Sequence, residues 1–173
     1  MFKSRLSFLA VGLLLGAVIG LNAGGWWPQI PVHAVATHGQ DNFVICTGPL
    51  DEEVEGVFFL DGLTGDLKCA AVSLQTGKFN AYFNHNINKD FSGAKNPKYS
   101  MVTGLIDLRR GAGAGNIAPS RSAVYIAEAT SGQIAAYAIP WNAALRTNNQ
   151  PQQGVFVPLD LWKFRNVAVR AAN

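Results

Sequence analysis

Few side chains in this sequence have the chemistry for catalysis or ligation. Cys46 and Cys69 are its two cysteines, and His85 is the one histidine beyond residue 38. His85 lies in Asn84-His85-Asn86-Ile87-Asn88-Lys89-Asp90, where an imidazole could act as general acid, general base or ligand. No serine or cysteine in a recognisable nucleophile setting accompanies it, and no second histidine gives metal spacing. A loop histidine bonded among asparagines is the simpler reading. Asp51-Glu52-Glu53-Val54-Glu55 gathers four carboxylates, at Asp51, Glu52, Glu53 and Glu55, whose oxygens could hold a calcium ion. Their spacing departs from an EF-hand loop, so an exposed acidic hairpin tip is expected instead.

Arg109-Arg110-Gly111-Ala112-Gly113-Ala114-Gly115 combines arginines with glycine amides, which suit anions. It lacks the Lys-Ser/Thr ending and following helix of a phosphate loop, and reads as an inserted flexible loop. Lys89, Lys95, Lys98, Trp162, Lys163 and Arg165 mix cations with aromatics. They are spread too thinly for a nucleic-acid face, so no nucleic acid is expected and anionic envelope polymers are the better partner.

These residues need a scaffold, and the composition bounds it. The 173 residues suit one domain, with 49% apolar content, 14% charged residues and 18 glycines. So little charge beside so many β-branched and aromatic residues excludes a disordered, collagenous or coiled-coil chain. Two cysteines exclude a disulfide-dense miniprotein.

Lys3 and Arg5 precede the apolar segment Leu6 to Ala23, the pattern of a secretory signal or a signal anchor. Its 18 residues reach the lower edge of the roughly 17 to 25 that span a bilayer, and Trp26 and Trp27 follow at interfacial depth. Small residues in Leu21-Asn22-Ala23, Val32-His33-Ala34 and Ala34-Val35-Ala36 leave cleavage open. Residues 1–36 are therefore read as signal or anchor with linker, and 37–173 as a domain on the periplasmic or cell-surface side.

Within that domain, Phe43-Val44-Ile45-Cys46-Thr47-Gly48-Pro49-Leu50-Asp51 matches Tyr99-Ser100-Met101-Val102-Thr103-Gly104-Leu105-Ile106-Asp107 at an offset of 56. Val57 to Leu67 matches Val124 to Ile134 at an offset of 67, without gaps. A looser match sets Gly77-Lys78-Phe79 against Gly154-Val155-Phe156. Each piece reads as a short strand bounded by turn residues, with Thr64-Gly65 and Ser131-Gly132 at tight hairpins. Strands are expected near 43–48, 56–61, 67–73 and 78–83 in unit one (43–83). Unit two (99–160) takes 99–106, 123–128, 133–139 and 154–159, and 161–169 adds a strand or short helix.

Phe59-Leu60-Asp61-Gly62-Leu63-Thr64-Gly65-Asp66-Leu67 and its match resemble the strand-turn-strand centre of a quinoprotein-type β-propeller blade, with Cys69 and Ala136 at the place of that family's docking tryptophan. The resemblance implies blade-like four-stranded units, but no cofactor is expected. With its Trp-Trp-Pro, Thr-Gly-Pro and Ile-Pro-Trp-Asn punctuation, the chain also resembles an uncharacterised family of small bacterial envelope proteins. Two blades do not close a ring of about four to eight, so a sandwich of two four-stranded sheets inside one chain is favoured.

In a meander, Cys46 and Cys69 lie on strands one and three, about 9.6 Å apart and beyond the roughly 7 Å reach of a disulfide. Buried free thiols are expected. Charge is divided as well: two basic residues against seven acids give −5 over residues 1–66, and twelve against four give +8 over 67–173. The loop after the first strand is acidic in unit one and basic in unit two, at Arg109, Arg110 and Arg121. Opposite signs at matched positions imply attraction between the loops, across the sheets or between molecules in self-association.

The expected protein is all-β: two duplicated four-stranded antiparallel units, sandwich or propeller-blade-like, after an N-terminal hydrophobic helix. Its expected role is a non-enzymatic binding or structural module of the bacterial envelope, exported or held in the membrane by the N-terminal segment. One alternative is an envelope hydrolase or metal-dependent enzyme using His85 and nearby acids. The other is a subunit that completes a propeller-like oligomer.

Overall fold

The computed structural model describes residues 12, 13, 16, 37–39, 42–91, 96–108 and 119–165. Compact units divide the chain at Met1–Val32 and His33–Asn173. In the first, Gly12, Leu13 and Gly16 are described, all helical; the rest of the segment read as signal or anchor lies outside the described residues, as do Arg109 and Arg110. Among the described residues no helix is long and apolar enough to cross a membrane.

The second unit is mostly β. A meander of β2 (Phe43–Pro49), β3 (Glu55–Asp61), β4 (Asp66–Val72) and β5 (Phe79–Asn86) forms one sheet, with short β1 (Thr37–Gly39) on the β2 edge. The other sheet takes β6 (Tyr99–Leu105), β7 (Pro119–Glu128), β8 (Gln133–Pro140) and β10 (Val157–Lys163) in the order β10-β8-β7-β6. Between β8 and β10 run helix α1 (Ala143–Thr147) and β9 (Gln152–Val155).

One expectation needs correction. The strand predicted at 154–159 divides at Phe156: β9 joins β5 in the first sheet as a parallel partner, whereas β10 pairs antiparallel with β8. Phe156 is only 1% exposed and packs on Phe58, ring centroids 6.2 Å apart. Driving that ring into the core sends the chain on either side of it to different sheets. β10, not β9, therefore takes the place of β5 in the second sheet, and the loose match of Gly77–Phe79 with Gly154–Phe156 has no counterpart in the pairing.

The core lies between the sheets. Across the first sheet, one inward row runs Cys46, Phe58, Cys69, Phe83 and the next Val44, Leu60, Leu67, His85. From the second sheet come Met101, Val124, Ile126, Ala135, Tyr137 and Ile139. A third row of the first sheet is small, Gly48, Gly56, Ala71 and Ala81, and Thr103 of the second sheet packs against it at Gly48. A Cβ at Gly48 would stand 2.8 Å from the Thr103 hydroxyl oxygen, which donates to the Thr47 carbonyl oxygen.

The matched segments share their turn bonds. The Asp61 carboxylate accepts the backbone N–H groups of Leu63 (2.8 Å) and Thr64 (3.1 Å). At the matched place the Glu128 carboxylate accepts those of Thr130 (2.9 Å) and Ser131 (2.6 Å). Gly65 and Gly132 close these turns at φ of 72° and 68°, each donating 2.9 Å to the carbonyl of its acidic residue. That left-handed backbone favours glycine. Gly62 donates to the Asn42 carbonyl and Ala129 to that of Lys98, both at 2.8 Å.

The faces are exchanged, however. Phe58, Leu60, Leu67 and Cys69 are buried, while their matches Tyr125, Ala127, Ile134 and Ala136 lie half-buried on the outer face of the second sheet. Conversely, Met101, Val124, Ile126 and Tyr137 are buried, and their matches Ile45, Val57, Phe59 and Ala70 form the outer face of the first. The core thus joins one face of the first unit to the opposite face of the second.

Glu128 is 1% exposed. Burial alone would raise its pKa, but the Ser131 and Thr130 donors prevail and hold it at about 2, against an ordinary 4.5. Because the folded value is depressed, this stabilisation is present above pH 4.5 and is lost as pH falls towards 2. Glu128→Gln should cost on the order of 2 kcal/mol at pH 7 by chemical denaturation, and the gap to wild type should close as pH falls through that window.

Candidate functional site

The acidic loop does not gather around an ion. Asp51 follows β2, and its Oδ1 accepts the backbone N–H groups of Glu53 and Val54, both at 2.9 Å, which folds the turn into β3. Its Oδ2 accepts the Trp141 indole N–H at 2.8 Å and Arg146 Nε at 3.1 Å. Arg146 also donates through Nη1 to Glu53 Oε2. Arg121 of β7 meets Glu52 Oε1 at 3.3 Å, with both side chains largely exposed, so the acidic loop and Arg121 come together across the two sheets. Glu55, at the start of β3, is exposed. Among the described residues no group of three or more His, Cys, Asp or Glu side chains is placed to hold a metal ion. The four carboxylates considered for calcium are turned to arginines, an indole, backbone or solvent.

Arg146 and Trp141 were not singled out from the sequence. Their signal is the stretch Ile139-Pro140-Trp141-Asn142, which ends β8 and opens α1. Asn142 caps the helix, its side chain accepting from Ala144 and Leu145 at 3.0 and 3.3 Å. At the other end Asn149 has φ of 51°, with Asn149 N bonded to the Arg146 carbonyl and Gln150 N to that of Leu145, a Schellman closure. Five residues of helix are too few to stand alone; the caps and the Asp51 contacts hold them.

This corner walls a cleft of about 420 Å³ between α1, the β4–β5 turn and β9. Its polar lining is preset. Asn149 Oδ1 accepts from the Ser73 hydroxyl at 2.6 Å and from Asn80 Nδ2 at 3.2 Å. Gln75 Nε2 donates to the Thr147 carbonyl at 3.3 Å, and Gln152 exchanges two bonds with the Asn142 backbone, at 3.0 and 3.1 Å. Ala71, Val72 and Leu74 supply apolar surface beside these amides. With Arg146 and Glu53 paired to each other, the lining is amide-rich and close to neutral.

His85 is not in a free loop, as the sequence suggests, but on the inner face at the end of β5. Its Nε2 lies 2.6 Å from Asp90 Oδ2, which also accepts the Tyr137 hydroxyl at 2.9 Å. The His85 and Tyr137 rings are 5.3 Å apart. Burial first, then the Asp90 carboxylate, pushes the Tyr137 hydroxyl well above the ordinary tyrosine range. A carboxylate-oriented imidazole is the arrangement that general-base chemistry uses. Among the described residues no serine, threonine or cysteine side chain bonds to it, and the three groups tie β5 to β8.

Cys46 and Cys69 are free and buried, with Phe58 between them in the sheet row. Burial pushes the Cys46 thiol up to about 12 and raises Cys69 as well. The chain matches no protein-family model, no curated protein and no solved structure.

Two outcomes follow. Asp51→Ala strands an indole N–H and a guanidinium, and should cost about 2–4 kcal/mol in a urea melt, whereas Arg121→Ala at an exposed pair should cost less than about 1 kcal/mol. A thiol reagent should label neither cysteine in the folded chain and both after denaturation; fast labelling of native protein would contradict the buried, protonated thiols.

Proposed function

We propose that this chain is a non-enzymatic binding module of the bacterial envelope, exported or held in the membrane by its N-terminal segment, and built by internal duplication of a four-strand unit into a sandwich. The observation that carries the binding reading is the cleft beside α1. Ser73, Asn80 and Asn149 are bonded to one another before any ligand arrives, which lowers the ordering cost of binding. Amides with spare donors and acceptors beside Val72 and Leu74, without unpaired charge, suit a neutral, hydrogen-bonding polymer such as a glycan or an extended peptide. The basic flank and apolar run at residues 3–23 support export, and the shared turn bonds of the two units support duplication.

The full chain in mild detergent can be titrated by calorimetry with chitin and β-glucan fragments and with uncharged extended peptides. One of these classes should bind, and Asn80→Ala or Asn149→Gly should weaken it about tenfold or more, the glycine keeping the left-handed backbone while removing the amide. No binding by either class, or equal binding by wild type and both variants, would contradict the cleft as the site.

A further inference from the structure

Both outer faces of the domain are largely apolar, with Lys68 and Asn84 on the first sheet and Asp160 on the second, and the internal interface states what fits them. The core pairs one face of unit one with the opposite face of unit two, so each unit keeps outside the face that its counterpart buries. An interface of that kind is heterologous, and it can repeat between molecules. We propose that copies of this chain stack head to tail, the outer face of the second sheet of one copy on the outer face of the first sheet of the next. The stack closes into a ring of blade-like sheets. Rings of this architecture hold about four to eight blades, so two to four copies are required. This goes beyond the ligand cleft and does not depend on it.

Three observations specify the occupant as a second copy. The first is the repeated Thr-Gly pair. Inside the chain, Thr103 of β6 fits the space left by Gly48 and donates to the Thr47 carbonyl oxygen. The matched pair, Thr47 and Gly104, points to the two open faces; the Tyr125 ring borders Gly104 there, 3.0 Å from where its Cβ would stand, so Thr47 of one copy would pack at the Gly104–Tyr125 edge of another.

The second is volume. Inside the chain, His85 packs on Tyr137. The residue in the place of His85 is Trp162, which ends the outward row Ser100, Ala127, Ile134, Trp162 and is 64% exposed. The match of Tyr137 is Ala70, which borders a hollow of about 440 Å³ with Phe79, Tyr82 and Pro151. A large ring on one open face and a hollow on the other stand at positions that the internal interface brings together. The third is charge. Within the chain the acidic loop of unit one meets Arg121 of unit two. In the ring Arg121, near the start of each β7, alternates with the acidic loops of the first units, so opposite signs succeed one another around it.

The test is native mass measurement of the full chain in mild detergent. Wild type should carry the mass of two, three or four chains. Phe59→Lys spoils the outer face of the first sheet and Tyr125→Lys that of the second, and each alone should be monomeric with an unchanged circular dichroism spectrum. Mixed in equal amounts, they should form a one-to-one pair and nothing larger, because each retains one good face and the good faces differ. Leu63→Lys, at an exposed turn, should keep the wild-type mass. If a lysine variant does not fold, Trp162→Ala at its exposed position replaces it and should loosen the ring at least tenfold on dilution. A monomeric wild type, lysine variants that keep the full mass, or loss of assembly with Phe59→Lys but not Tyr125→Lys would overturn head-to-tail stacking; the last result would indicate two-fold pairing instead.

Discussion

Alternation of side chains along a strand is the constraint on which the rest of this structure depends. Successive residues point to opposite faces, and the two units contribute opposite faces to one core. Strands that are apolar on both faces over most of their length suit such an arrangement. This accounts for a chain with only 14% charged residues, and for outer faces carrying Ile45, Val57 and Phe59 on one side and Tyr125 and Ile134 on the other. Most of the charge sits at turns, corners and strand ends, with Lys68 in β4 and Asp160 in β10 as exceptions on the outer faces.

At those corners carboxylates act as ties. Asp61 and Glu128 gather the backbone donors of matched hairpins, Asp51 joins the first hairpin to the β8–α1 corner, and Asp90 joins the β5 end to Tyr137. Each receives several donors, so desolvation is offset by bonds rather than left as a penalty. Asp51 is the most consequential of the four, because without it the five-residue helix that walls the cleft would lose both its arginine anchor and the indole beneath it.

Much of this was legible in the sequence. Through β8 the strands stand where they are expected, most with limits within a residue or two, although β5 runs on to Asn86 and β7 begins four residues early at Pro119; β-branched runs bounded by Asp-x-x-Thr-Gly-type turns leave little freedom of register. The meander separates Cys46 from Cys69 by one strand, as their spacing suggests. Other features were hidden. Val155-Phe156-Val157 reads as one continuous strand, and only the depth available for the Phe156 ring divides it between sheets. The acidic loop reads as a possible ion site because its partner Arg146 lies 95 residues from Asp51. The face exchange leaves no mark in the pattern, since strands apolar on both sides offer no contrast by which to tell inside from outside.

The central claim is that matched strands present opposite faces, so that open faces of different copies are complementary. Two variants with one added cysteine test this most directly: Ala70→Cys on the first sheet and Ile134→Cys, beside Trp162 in the outward row of the second, treated with a short thiol cross-linker while Cys46 and Cys69 stay buried. Cross-linked dimers should form when the two variants are mixed and not in either alone. Dimers from Ala70→Cys by itself, or none in the mixture, would contradict the account.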